Sequence, residues 1–102
     1  VNTALTNFSC DLNQLTILDV SANIALNSLT CKANNLATIN LGSNINLQNL
    51  SGSAAPGFPY FDTRGNSATL KIKVGTTARV TQAQSLFTTA NQNIDSGTLF
   101  II

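Results

Sequence analysis

Residues 5–25 read LTNFSCDLNQLTILDVSANIA and residues 26–46 read LNSLTCKANNLATINLGSNIN. Set one under the other, the two segments agree in kind at regular positions. Leu5 falls on Leu26, Phe8 on Leu29, Cys10 on Cys31 and Asn13 on Asn34. Leu15 falls on Leu36, Leu18 on Ile39, Val20 on Leu41 and Asn23 on Asn44. A third copy opens with Leu47 and Leu50 and then loses the pattern. Each 21-residue period also holds a shorter echo. Leu5-x-x-Phe8-x-Cys10-x-x-Asn13 is followed by Leu15-x-x-Leu18-x-Val20-x-x-Asn23.

In L-x-x-L-x-L, alternate residues of a short strand point to one side. A single coil cannot bury that side alone, so coils stack and share a continuous core. The asparagines fall where the chain turns inward after each strand. An amide offers two donors and an acceptor, which can satisfy backbone turned away from water. Asn13/Asn34 and Asn23/Asn44 therefore predict two internal ladders. So short a period leaves little room for a helix on the convex side, and its echo implies a second extended flank.

These motifs resemble the leucine-rich repeat, L-x-x-L-x-L-x-x-N/C-x-L. The short nested period is similar to that of secreted and surface bacterial members of the family. The resemblance covers residues 5–52, half the chain. It implies a leucine-rich-repeat solenoid of parallel β coils with little or no convex helix. Residues 67–102 resemble the strand–helix–strand C-terminal cap of such proteins. TLKIKV at 69–74 alternates apolar and basic, as a half-buried strand does. Val80, Ala83, Phe87 and Ala90 have helical spacing within 77–90, Asn91 to Gly97 read as loop, and residues 98–102 as a last strand. No equivalent cap precedes Leu5. The natural protein is therefore expected to continue on that side, and an uncapped first coil would offer its strand edge for an edge-to-edge dimer.

Residues 53–66, SAAPGFPYFDTRGN, break the period. Pro56 and Pro59 prevent regular pairing, and Gly57 and Gly65 permit turns. Phe58, Tyr60 and Phe61 either fill the end of the core or form an exposed aromatic loop that binds a partner.

Composition narrows the function. The 102 residues are one continuous domain. Five basic and four acidic residues give a net charge of +1, without the clustered Lys/Arg that nucleic acid requires. The absence of His removes His-based acid–base and nucleophile chemistry and His-containing zinc sites. Asp11, Asp19, Asp62 and Asp95 are too dispersed for a glycosidase pair or a calcium loop. No catalytic residue, cofactor or metal is expected, and the chain is read as a non-enzyme. No apolar run approaches the ~18 residues of a membrane span, so no membrane insertion is expected. Cys10 and Cys31 occupy one inward position in adjacent coils. Strand spacing brings them within reach of a disulfide, but their parallel side chains suit a bridge poorly, and free thiols are expected.

The family implies binding of a protein or a glycan on the concave face. The outward positions of the first flank are Asn7, Ser9 and Asp11, then Ser28, Thr30 and Lys32, then Asn49, Ser51 and Ser53. This surface is small and polar, with Asp11 and Lys32 expected to stack as an exposed ion pair. An extracellular or cell-surface adhesion module is the leading reading. The alternative is a structural cap and spacer that binds nothing. Ice binding fits the low charge but lacks a flat T-x-T array.

Overall fold

The computed structural model describes residues 4–44, 47, 61–90 and 93–102. Among the described residues, six short strands form two three-stranded parallel sheets. Sheet A contains β1 (Asn7–Ser9), β2 (Ser28–Thr30) and β4 (Phe61–Asp62), in that order. Sheet B contains β3 (Thr38–Asn40), β5 (Lys71–Lys73) and β6 (Leu99–Ile101). The helix α1 (Thr77–Leu86) lies between β5 and β6 in sequence. The Thr76 side chain caps it by accepting from the Arg79 N–H at 3.2 Å. The helix stops at Leu86, short of the predicted 90, with Phe87 extended as its C-cap.

The registers carry the period. Phe8 pairs with Leu29, and Ser9 with Thr30, each 21 positions on. Leu29 in turn pairs with Phe61, and Ile39 with Ile72. The third period is longer, and its additional residues fall between Asn44 and Phe61. The core is built from the inward positions of successive periods. Leu26, Leu29, Cys31 and Leu36 are fully buried, and Ile39 and Leu41 join Ile72, Val74 and Leu70 beside them.

At the end of each sheet A strand the chain turns through a left-handed residue followed by asparagine. Leu12 has φ 60°, Ala33 φ 56° and Gly65 φ 74°. Asn13, Asn34 and Asn66 follow them. The Asn34 amide donates to the carbonyls of Cys10 and Cys31, both at 3.0 Å, and its Oδ1 accepts from the Leu15 N–H at 3.1 Å. Asn66 repeats this one period on. It donates to Cys31 and Thr63 at 2.9 Å and accepts from the Leu36 N–H at 3.1 Å. On the other flank Asn44 donates to the carbonyls of Val20 and Asn23, at 3.0 and 2.9 Å. Its Oδ1 is the one buried side-chain polar atom without a partner among the described residues.

Asn66 is a rung that the irregular reading of 53–66 did not contain. FDTRGN at 61–66 stands where LTCKAN stands at 29–34. Phe61 is likewise a correction to the aromatic-loop reading. It is fully buried, with its ring centroid 4.4 Å from that of Phe87. Phe58 and Tyr60 lie outside the described residues.

Two predictions follow from the corner geometry. Leu12 is 79 % exposed, so Leu12→Gly loses little packing and relieves a left-handed cost of about 1–2 kcal/mol, less the entropy of a glycine. It should raise the urea midpoint slightly. Gly65→Ala should lower it, at a cost of about 1–2 kcal/mol in stability, because the added Cβ meets Ala33 N at 3.1 Å in a left-handed residue. Separately, Asn34→Ala leaves the Leu15 N–H without its partner and takes from the Cys10 and Cys31 carbonyls one of the two amides that reach each, and should lower stability by about 1–3 kcal/mol by the same assay.

Candidate functional site

The outer face of sheet A is set by strand alternation. Phe8 and Leu29 point into the core, so Asn7 and Ser9 on β1, and Ser28 and Thr30 on β2, point out. Asn7 stands beside Ser28 and Ser9 beside Thr30. The Thr30 hydroxyl donates to the Ser9 Oγ at 2.9 Å, across the two strands. Asn7 and Ser9 are exposed and Ser28 and Thr30 half-buried, and all four side chains are small.

Past the strands, Asp11 and Lys32 differ from expectation. The Asp11 carboxylate accepts from the Lys32 backbone N–H at 2.9 Å rather than pairing with the ammonium. The in-register neighbours keep backbone groups within reach of a short carboxylate, whereas an ammonium pair would have to order a long side chain in water. Among the described residues the ion pair that forms is Arg64 with Asp62. The guanidinium donates from Nε at 3.0 Å and from Nη2 at 2.8 Å, one bond to each carboxylate oxygen. Asp62 also accepts from the Arg64 backbone N–H at 3.1 Å, while the guanidinium's hydrogen bonds to Asp62 hold the Arg64 pKa above its ordinary value.

The third row of the face therefore needs correction. Asp62, not Ser51, is the register partner of Thr30. Asn49, Ser51 and Ser53 lie outside the described residues. The signal for Asp62 and Arg64 was present in the match of FDTRGN to LTCKAN, but the longer third period hid it.

Beneath the face, both cysteines are free thiols. Burial pushes the Cys31 thiol from 9.0 up to about 12, aided by the nearby charges of Cys10, Asp11 and Asp62. Burial and Asp11 also raise Cys10, whose Sγ donates to the Thr30 carbonyl at 3.9 Å. On the second flank, Asp19 accepts from the Ser21 N–H at 2.9 Å, and its hydrogen bonds to Ser21 lower its pKa.

The face can donate and accept hydrogen bonds with little net charge. Among the described residues no three His, Cys, Asp or Glu side chains converge as metal ligands. No helix among them is long and apolar enough to cross a membrane. Comparison with family models, curated proteins and solved structures finds no match to the chain.

The Cys31 shift makes stability depend on alkaline pH. Between pH 9.0 and about 12 the folded state keeps a proton that the unfolded chain loses. This contribution is intact below pH 9.0 and is lost progressively as pH rises through that window. Denaturant midpoints should fall more steeply there for the wild type than for Cys31→Val, which has no thiol to titrate. Parallel curves would remove Cys31 as the cause.

Proposed function

We propose that the chain is a leucine-rich-repeat solenoid with a C-terminal cap, acting outside the cell or on its surface. Its role is recognition or adhesion rather than catalysis. The partner is an extracellular protein or a glycan, taken on the concave outer face of sheet A. The observation that carries this reading is the outward-facing hydroxyl ladder of Ser9 and Thr30, flanked by Asn7 and Ser28. Neighbouring rungs at sheet spacing offer alternating donors and acceptors from a fixed backbone. Such a surface suits sugar hydroxyls or peptide groups better than it suits a strongly charged ligand. The in-register 21-residue spacing and the repeated left-handed–Asn corner support the repeat assignment.

A second reading has its own support. The sheet A ladder ends on Asn93 and Asp95, as a cap would end it. In that case the chain is a structural cap and spacer that binds nothing.

The deciding experiment screens the purified chain against glycans and extracellular proteins, beside Thr30→Arg. The binding reading expects at least one ligand whose affinity drops about tenfold or more in the variant, equivalent to about 1.4 kcal/mol. A blank screen with folded protein, or a ligand unaffected by the substitution, overturns the assignment of this face.

A further inference from the structure

Every Asp, Lys and Arg of the chain lies among the described residues, and the fold divides them unevenly. Asp11, Asp62 and Asp95 stand with Lys32 and Arg64 at the strand ends and corners of sheet A. Lys71, Lys73 and Arg79 stand on the sheet B flank. The net charge of +1 thus conceals a cationic flank.

Strand alternation sets the outer face of sheet B. Ile39, Ile72 and Phe100 are buried, so the residues on either side of each point out. Two rows cross the sheet in register, Thr38–Lys71–Leu99 and Asn40–Lys73–Ile101. Thr38, Asn40, Lys71 and Leu99 are exposed, and Lys73 and Ile101 are half-buried. Past the end of β5 the chain reaches Gly75, and the Arg79 guanidinium lies beside it. A Cβ on Gly75 would stand 3.6 Å from Arg79 Nη1, which donates to the Gly42 carbonyl at 3.3 Å. The helix α1 thereby returns a cation to the end of β5. Lys71, Lys73 and the Arg79 guanidinium follow one line along that strand, in steps of about 7 Å, the rise of two residues.

No carboxylate answers this line. None of the three cations is in an ion pair among the described residues. Asp19 precedes Asn40 by one period, which puts it two strand spacings from Lys73, about 10 Å away. Its carboxylate is already engaged by the Ser21 N–H at 2.9 Å. Asn40 makes the matching bond to the Gly42 N–H at 2.9 Å, which commits its Oδ1. The other group of that amide is its NH2, a donor. The middle of the face is therefore built from ammonium, guanidinium, amide N–H and hydroxyl groups.

We propose that the outer face of sheet B is a second binding site, for a linear acidic glycan that carries carboxylate or sulfate groups along its chain. Charge complementarity selects a polyanion, and the neighbouring rows select a sugar. The anionic groups lie along Lys71, Lys73 and Arg79. Thr38 and Asn40 reach sugar hydroxyls on one side of that line, and Leu99 and Ile101 receive ring C–H groups on the other. Other polyanions match less of the face. An extended acidic peptide is captured by adding a strand at a sheet edge, whereas β5 is paired on both sides. Single-stranded nucleic acid stacks its bases on aromatic side chains, and the two rows hold none. An anionic membrane calls for about four to eight clustered basic residues. The site does not rest on what the outer face of sheet A binds.

The test is titration calorimetry of the whole chain with heparin and with polygalacturonate oligosaccharides, beside neutral dextran, single-stranded DNA and phosphatidylserine–phosphatidylcholine vesicles. The expected result is binding of at least one of the two acidic glycans, weakening as salt is raised from about 0.05 to about 0.5 M. Lys71→Gln combined with Lys73→Gln should lower that affinity at least about tenfold, with unchanged circular dichroism, because both side chains reach solvent. Lys71→Arg combined with Lys73→Arg should retain it. The double glutamine variant should leave untouched any ligand that is lost in Thr30→Arg, which separates this site from the sheet A face. Absence of binding of either acidic glycan up to about 1 mM overturns the proposal. So does an affinity indifferent to salt or to the double glutamine variant. Binding of DNA, vesicles or dextran as tight as that of the acidic glycans also overturns it.

Discussion

Every backbone group that turns inward at a corner of this chain must find a partner away from water, and asparagine meets that constraint. At Asn34 a single amide holds the carbonyls of Cys10 and Cys31 and the N–H of Leu15. Those groups belong to two successive periods. The side chain is therefore a corner support and a cross-tie at once. Left unpaired in a buried site, each group would cost about 1–3 kcal/mol, more than a typical surface contact supplies. The left-handed residue before the asparagine is the other half of the device. It turns the strand inward so that the amide reaches both layers. The chain accepts that backbone cost at Leu12 and Ala33, where no glycine is available, and avoids it at Gly65. A conformation retained by residues that disfavour it is held by its surroundings, here by the ladder.

The two ends of sheet A differ because the ladder has a direction. Cys10, Cys31 and Thr63 each donate forward, to the carbonyls of Thr30, Asp62 and Asn93. Leu12, Ala33 and Gly65 do the same one corner later, the last to a carboxylate rather than a carbonyl. A carboxylate can accept a lone N–H without extending a strand, which makes Asp95 a terminator. Phe87, brought in just after α1, covers Phe61 in the position a further leucine would take. No such arrangement stands before β1 among the described residues.

The parts legible in the sequence were those that depend on a constant period. The pairing of Phe8 with Leu29 and the amide bridges of Asn34 and Asn44 follow from the 21-residue spacing itself. The alternation of Leu70, Ile72 and Val74 with Lys71 and Lys73 likewise places three side chains in the core. The third period was not legible, because the residues added between Asn44 and Phe61 shift its frame. A leucine at position 50 then looks like the next rung while Phe61 holds that place. The face suffers from the same shift. Asn7 with Ser28 and Ser9 with Thr30 follow the 21-residue register, whereas the next partner of Thr30 is Asp62 and not the residue 21 positions on. The Asp11–Lys32 contact failed for a different reason. Register predicts adjacency, but not whether a carboxylate will prefer an ammonium or the backbone N–H beside it.

The composition of the face also follows from the corner constraint. Charged residues at or just past the strand ends are committed to the corner. Asp11 is bonded to the Lys32 N–H, and Asp62 is held by Arg64. The Asp62 charge is thus paired with Arg64, and the Asp11 and Lys32 charges offset one another at the edge of the face, so little net field remains. What remains free to meet a ligand is the hydroxyl and amide set on β1 and β2. Hydrogen bonds of that kind gain little over water individually, because each replaces a bond to solvent. They discriminate through fixed geometry, since a ligand that leaves one of them unmatched bears the desolvation cost. A rigid parallel sheet supplies such geometry, and the Ser9–Thr30 bond orients its hydroxyls before any ligand arrives. The specificity of this face would then lie in spacing rather than in charge.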